Sequence, residues 1–127
     1  MGTFLCCAMH PILIVDDNED IRELYGTCLR GEGYTVLEAE DGQAALDTLH
    51  QTPQVPCLVL LDLMMPIMSG PEFLKAVRAT HRLASLPIIV ISAGGQPSDA
   101  PGANRFVRKP LDPRALVALV REYCRPT

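Results

Sequence analysis

An α/β domain built on one doubly wound, five-stranded parallel sheet is the fold this sequence predicts, and three features predict it. Short unbroken apolar runs at 12–15, 58–61 and 88–91 alternate with amphipathic stretches; continuous apolar runs of that length suit parallel strands covered on both faces. The connections between them are short and rich in turn-forming residues, as βαβ units require. Each run also ends on a polar residue: Asp16-Asp17, Asp62 and Ser92, with Lys109 after the shorter run Phe106-Val107. Right-handed crossovers bring strand carboxyl ends to one edge of such a sheet, where open α/β folds place their chemistry.

The elements follow in order. After the 12–15 strand, Asp17-Asn18-Glu19-Asp20 supplies a cap and an acidic first turn for a helix. Ile21, Leu24, Tyr25, Cys28 and Leu29 fall on one face of it, and Gly31 and Gly33 end it. Residues 34–39 form the second strand. Asp41-Gly42 opens the second helix, with Ala45, Leu46 and Leu49 inward, and Pro53 and Pro56 punctuate the return to the third strand. Ser69-Gly70-Pro71-Glu72 reads as a helix start with Ser at the cap and Pro in the first turn, and Phe73, Leu74 and Val77 face the core. Pro87 precedes the fourth strand. Asp112-Pro113 starts the last helix, with Leu116, Leu119, Val120 and Tyr123 on its buried face. One segment breaks the alternation. The thirteen residues between Ser92 and Phe106 include three Gly and two Pro. Since Pro costs ~3 kcal/mol and Gly ~1 kcal/mol inside a helix, at most one turn near 97–100 is expected there.

Composition narrows the function. A length of 127 residues fits one domain, and 48% apolar with 20% charged residues is ordinary for a globular chain. No apolar stretch approaches the ~20 residues that span a bilayer, so no membrane role is expected. A net charge of −4, with the basic residues scattered, argues against nucleic-acid binding by this domain. Of the five cysteines (Cys6, Cys7, Cys28, Cys57, Cys124) none has metal-ligand spacing. Buried free thiols in a reducing, cytoplasmic compartment are the expectation. The opening Met1-Gly2 suggests myristoylation, but Cys6 stands where that motif wants Ser or Thr. Residues 1–10 are read as a leader of unassigned role, with the domain at 11–125.

The polar strand ends form a chemically coherent set. Asp16, Asp17 and Asp62 offer the carboxylates a hard divalent ion such as Mg²⁺ takes, and three such groups together call for a cation. Asp62 is also a potential nucleophile toward phosphorus. Lys109 would pair with a phosphoryl oxygen and Ser92 would donate to another; positioning and electrostatics of this kind supply most phosphoryl-transfer catalysis. Taken singly, each residue has a structural role to play as a cap, a turn or a solvated surface group. The combination is what carries chemistry.

Here the chain resembles the receiver domains of two-component response regulators. The motifs are Ile12-Leu13-Ile14-Val15-Asp16-Asp17, residues 60–70 (Leu60-Leu61-Asp62 through Ser69-Gly70), Ile89-Val90-Ile91-Ser92-Ala93 and Phe106-Val107-Arg108-Lys109-Pro110-Leu111. The resemblance spans roughly 11–124 and implies the CheY-like strand order 2-1-3-4-5. It implies that Asp62 accepts a phosphoryl group from a phosphohistidine of a sensor histidine kinase or phosphotransfer protein. Asp17 would then bind Mg²⁺ directly, Asp16 through water, and the Met64 backbone carbonyl would be a further ligand. Ser92 and Phe106 would move together as the switch, read by a downstream effector, and Lys109-Pro110 would be cis. Such a domain is not an enzyme in the usual sense, although it promotes its own phosphorylation and dephosphorylation. Met64 and Gly94, near the acceptor, offer no side chain to orient a hydrolytic water. Ile21 and Leu24 are candidate contacts for the phosphodonor.

The sequence departs from the family in the segment 93–105, where a helix is normal. That departure bears on the usual dimer face and output route, and a flexible loop that orders on phosphorylation or partner binding is expected. A pseudo-receiver that keeps the fold without phosphorylation is the alternative this segment supports. A Mg²⁺-dependent aspartyl phosphatase of the haloacid-dehalogenase type is disfavoured, because Asp62-Leu63-Met64 lacks that class's second carboxylate. With no output domain in these 127 residues, the sequence fits a stand-alone regulator or a piece of a longer chain.

Overall fold

The computed structural model describes residues 10–125; the proposed leader, apart from His10, and with it Cys6, Cys7 and the lipidation reading, lies outside them. Five parallel strands, β1 (Ile12–Val15), β2 (Val36–Ala39), β3 (Leu58–Leu61), β4 (Ile88–Ser92) and β5 (Arg105–Arg108), form one sheet in the order β2-β1-β3-β4-β5. The helices are α1 (Glu19–Gly31), α2 (Gly42–Gln51), α3 (Gly70–Ala79) and α4 (Pro113–Arg121), with single 3₁₀ turns at His81–Leu83 and Pro97–Asp99. The fold class and strand order are as expected. The one turn at Pro97–Asp99 is all the helix that the Gly- and Pro-rich segment forms.

Period-two alternation along the strands divides the interior into two cores. Leu13, Val15, Val59, Leu61, Ile88 and Val90 face α2 and α3, where Ala45, Leu49, Phe73, Leu74 and Val77 meet them. Ile12, Ile14, Leu58, Leu60, Ile89 and Ile91 face α1 and α4, against Tyr25, Leu29, Leu116 and Val120. The caps are those the sequence offers. Asn18, Asp41, Ser69 and Asp112 each accept a first-turn N–H, and Ser69 and Glu72 complete a reciprocal box.

Three local readings need correction. Leu24, placed on the buried face of α1, is 49% exposed. The helix packs along the narrow stripe Ile21–Tyr25–Leu29, and Leu24 falls at its margin. Leu46 and Tyr123 are likewise only partly buried. The third correction is larger: Cys57 and Cys124 are joined in a disulfide rather than being free thiols. Their 67-residue separation hides the pairing in the sequence, but Cys57 just before β3 and Cys124 just after α4 bring their Cα atoms to 5.9 Å, within bridging range. Cys28 remains free.

Candidate functional site

Strand pairing assembles the site. Val15 lies opposite Leu61, so Asp16 and Asp62 leave adjacent strands side by side, and the Asp62 N–H donates to the Val15 carbonyl. Ser92 pairs with Arg108, which sets Lys109 just beyond it; the Lys109 N–H donates to the Ser92 carbonyl. The Lys109-Pro110 bond is cis, as expected. Oxygen atoms of Asp16, Asp17 and Asp62 come within 4.8 Å of one another. Asp16 and Asp62 are buried while Asp17 is exposed, so the cluster opens to solvent on one side.

Lys109 Nζ donates to Asp16 Oδ2 at 2.7 Å and lies 3.7 Å from Asp62 Oδ1. Burial by itself would lower the ammonium's pKa; the Asp16 hydrogen bond and the charges of Asp16 and Asp62 outweigh it and hold the pKa above its ordinary value. The Asp62 carboxyl is pushed up, first by burial and then by Asp16, with Lys109 and the Met64 N–H pulling the other way. Three carboxylates share one lysine here, so negative charge is in excess, and the donor set is all oxygen, which fits a hard divalent cation.

Ser92 is wholly buried, and its Oγ accepts a hydrogen bond from the Gly94 N–H at 3.4 Å. A side chain built onto Gly94 would meet nothing within 4 Å, so that approach to the site is open. Met64 leaves its N–H to the Asp62 carboxylate and turns its side chain out to 70% exposure. Phe106 is half-buried against the core formed by α2 and α3, with the Arg108 guanidinium 5.3 Å from its ring centre. The loop that carries Met64 is closed tightly. Gly70 donates its N–H to Leu63 O, and a Cβ there would stand 2.6 Å from the Asp62 carbonyl, so only glycine lets α3 start so close to the acidic residue.

Two side chains escaped the sequence reading. Tyr25, assigned simply to the apolar face of α1, is buried next to the site; burial raises its phenol pKa, and it feels Lys109, Asp16 and Asp62 in turn. Arg22 Nη1 donates to the Asp16 carbonyl at 2.7 Å. A tyrosine four residues after Ile21, and an arginine five after Asp17, carry no motif that marks them.

The family model for the response regulator receiver domain matches residues 12–121. Over 122 residues the chain is 38% identical to the transcriptional regulatory protein CpxR of Escherichia coli, covering 92% of this chain and 50% of CpxR. It is 35% identical over 122 residues to an uncharacterized 14.6 kDa protein of Leptolyngbya boryana, covering 92% of both. Among solved structures, the chemotaxis protein CheY4 of Vibrio cholerae superposes with a TM-score of 0.81 at 30% identity, covering 91% of this chain and 99% of that one. The chain thus spans about half the length of CpxR, and its likeness to CheY4 extends over that whole protein. With sheet order, acidic edge and family match in agreement, this chain belongs to the response regulator receiver domain family.

Proposed function

We propose that this domain is a phosphorylation-driven switch whose acceptor is Asp62. The convergence of Asp16, Asp17 and Asp62 within 4.8 Å, with Lys109 bridging Asp16 and Asp62, is the observation that carries the reading. An Asp62 carboxylate oxygen attacks the phosphorus of a phosphohistidine; the P–N bond breaks as the P–O bond forms, and the imidazole nitrogen keeps the electron pair. Asp16, Asp17, Asp62 and the Met64 carbonyl would hold Mg²⁺, which supplies charge neutralisation at the phosphoryl oxygens. Lys109, already between two carboxylates, has its ammonium placed to move onto a phosphoryl oxygen. Ser92 ends the adjacent strand, where rotation of its hydroxyl toward the new group would draw Phe106 with it.

The donor on this reading is a sensor histidine kinase or histidine phosphotransfer protein, and the reader a downstream effector. On α1, exposed Leu24 and partly buried Ile21 are the candidate contacts for the donor. None of the described helices is long and apolar enough to cross a membrane, and we assign the switch to the cytoplasm with its kinase. Incubation with Mg²⁺ and acetyl phosphate, followed by intact mass measurement of wild type and Asp62→Ala, tests the reading. A gain of one phosphoryl mass in the wild type alone is expected. A folded wild type that gains none with any donor is a pseudo-receiver instead.

A further inference from the structure

We propose that Arg22 is a positioning residue for the metal-binding carboxylates, holding the Asp16–Asp17 peptide so that the Asp17 carboxylate is aimed at the cluster. The inference rests on the reading of Asp16, Asp17 and Asp62 as cation ligands. Asp16 is pinned at every polar atom. Its N–H donates to Ala39 O, Oδ1 accepts from the Asn18 N–H at 2.9 Å, and Oδ2 accepts from Lys109. Its carbonyl lies past the last pairing of β1, and Arg22 Nη1 takes it at 2.7 Å. That carbonyl shares one rigid plane with the Asp17 N–H, so holding the oxygen fixes the plane and with it the direction in which Asp17 leaves the backbone. Asp17 is exposed, and backbone orientation is what aims it.

The arginine is itself held, and its charge is offset. Its Nε lies 3.5 Å from Glu38 Oε1 on β2, with the Arg22 side chain only 14% exposed. The other oxygen of Glu38 accepts from Arg30 Nη2 at 3.1 Å. An uncompensated guanidinium behind the acidic loop would oppose a cation; Glu38, shared with Arg30, offsets part of that charge. Gly26 gives this arrangement room, since a Cβ there would stand 2.9 Å from Arg30 Nη1 and 3.3 Å from Glu38 Oε2.

The test uses the full 127-residue chain and two readouts: Mg²⁺ affinity by calorimetry, without any phosphodonor, and the Mg²⁺ dependence of labelling by acetyl phosphate. Arg22→Met removes the donors and the charge while keeping an unbranched stem. Its Mg²⁺ dissociation constant should rise about tenfold, as when a partner that orients a metal ligand is lost. The Mg²⁺ concentration for half-maximal labelling should shift equally, with the rate at saturating Mg²⁺ little changed. Arg22→Lys, which keeps one donor and the charge, should recover most of the loss. Should Arg22→Met fail to fold, Arg22→Gln carries the same expectation, its amide being too short to reach the Asp16 carbonyl. A folded variant that binds Mg²⁺ as tightly as wild type overturns the role of Arg22 and leaves the metal site standing. A wild type that binds no Mg²⁺ removes the metal site itself, and the brace with it.

Discussion

At Asp62 the folded chain holds its proton more tightly than the unfolded chain does, because burial and Asp16 both raise the carboxyl's pKa. A group shifted in that direction binds more protons in the folded state, so its contribution to stability is lost as pH rises through the folded pKa. Asp62→Asn removes the charge and should therefore stabilise the domain at neutral pH by about 1 kcal/mol. The gain should vanish below the ordinary aspartate range, where the wild-type carboxyl is protonated in both states. Urea denaturation of both proteins at neutral and strongly acidic pH checks this; a gain of equal size at both would place its origin outside electrostatics. Mg²⁺ should narrow the difference, since a ligand of the folded state stabilises it by mass action and Asp62→Asn has lost one of the carboxylates proposed to hold the ion. The residues of the acidic site were legible because they stand at the ends of apolar runs, positions that the topology alone brings together. Arg22 and Tyr25 were not, because their roles depend on which side of α1 meets the end of β1, and helical periodicity marks only burial. Leu24 shows the same limit from the other side: its spacing is that of a core residue, and the helix simply tilts it clear.

Among the elements, the segment between β4 and β5 is where this chain differs from the pattern it resembles, and one side chain accounts for its shape. Arg78, in the last turn of α3, uses five N–H donors: two to Gly102 O and one each to Ala84 O, Leu86 O and Asn104 Oδ1. Asn104 in turn exchanges bonds with Ile88, donating from its N–H and accepting at Oδ1, which sets β5 beside β4. The missing helix is thus replaced by a tethered loop, with Ala100 buried in the core it would otherwise have left open. Replacing Arg78 by Met leaves several carbonyls without partners and should cost about 2–3 kcal/mol by denaturant unfolding. Lysine should rescue little, lacking the planar fork. Hydrogen exchange should find the Asn104 and Ile88 amides protected in the wild type and the Gly95 and Ser98 amides fast. A phosphoryl mimic that slows exchange at the latter would support ordering on phosphorylation; unchanged exchange throughout would remove the loop from the switch. The absence of a regular helix here was legible from Gly and Pro content, and the four helix starts from their caps. Arg78 was not, since an arginine near a helix carboxyl end reads as a partner of the helix dipole, and its true partners lie up to 26 residues away.

Across the whole molecule, the Cys57–Cys124 bridge ties the amino end of β3 to the carboxyl end of α4, on the edge of the sheet opposite the acidic site. Tyr34 reinforces the same corner, its hydroxyl donating to the Cys124 carbonyl at 2.9 Å. Closing a loop of 67 residues removes unfolded-state entropy, and bridges of this kind are typically worth about 2–4 kcal/mol. Thiol reduction, or Cys57→Ser with Cys124→Ser, should lower the melting temperature by about 6–15 °C for a domain of this size. The acidic site should be indifferent to it. Asp16, Asp62, Ser92 and Lys109 hang on the carboxyl ends of the strands, whereas Cys57 joins the β1–β3 pair only at its amino end, donating its N–H to Pro11 O. Labelling of Asp62 by acetyl phosphate, well below the melting temperature, should therefore proceed equally in oxidised and reduced protein. This separation matters because a cytoplasm, the compartment proposed for this domain, keeps thiols reduced, and the dithiol would be the working form there. A reduced protein that stays folded but loses labelling would show that the seating of α4 reaches the acceptor through α1, the helix that carries both Arg22 and Tyr25 and packs against it.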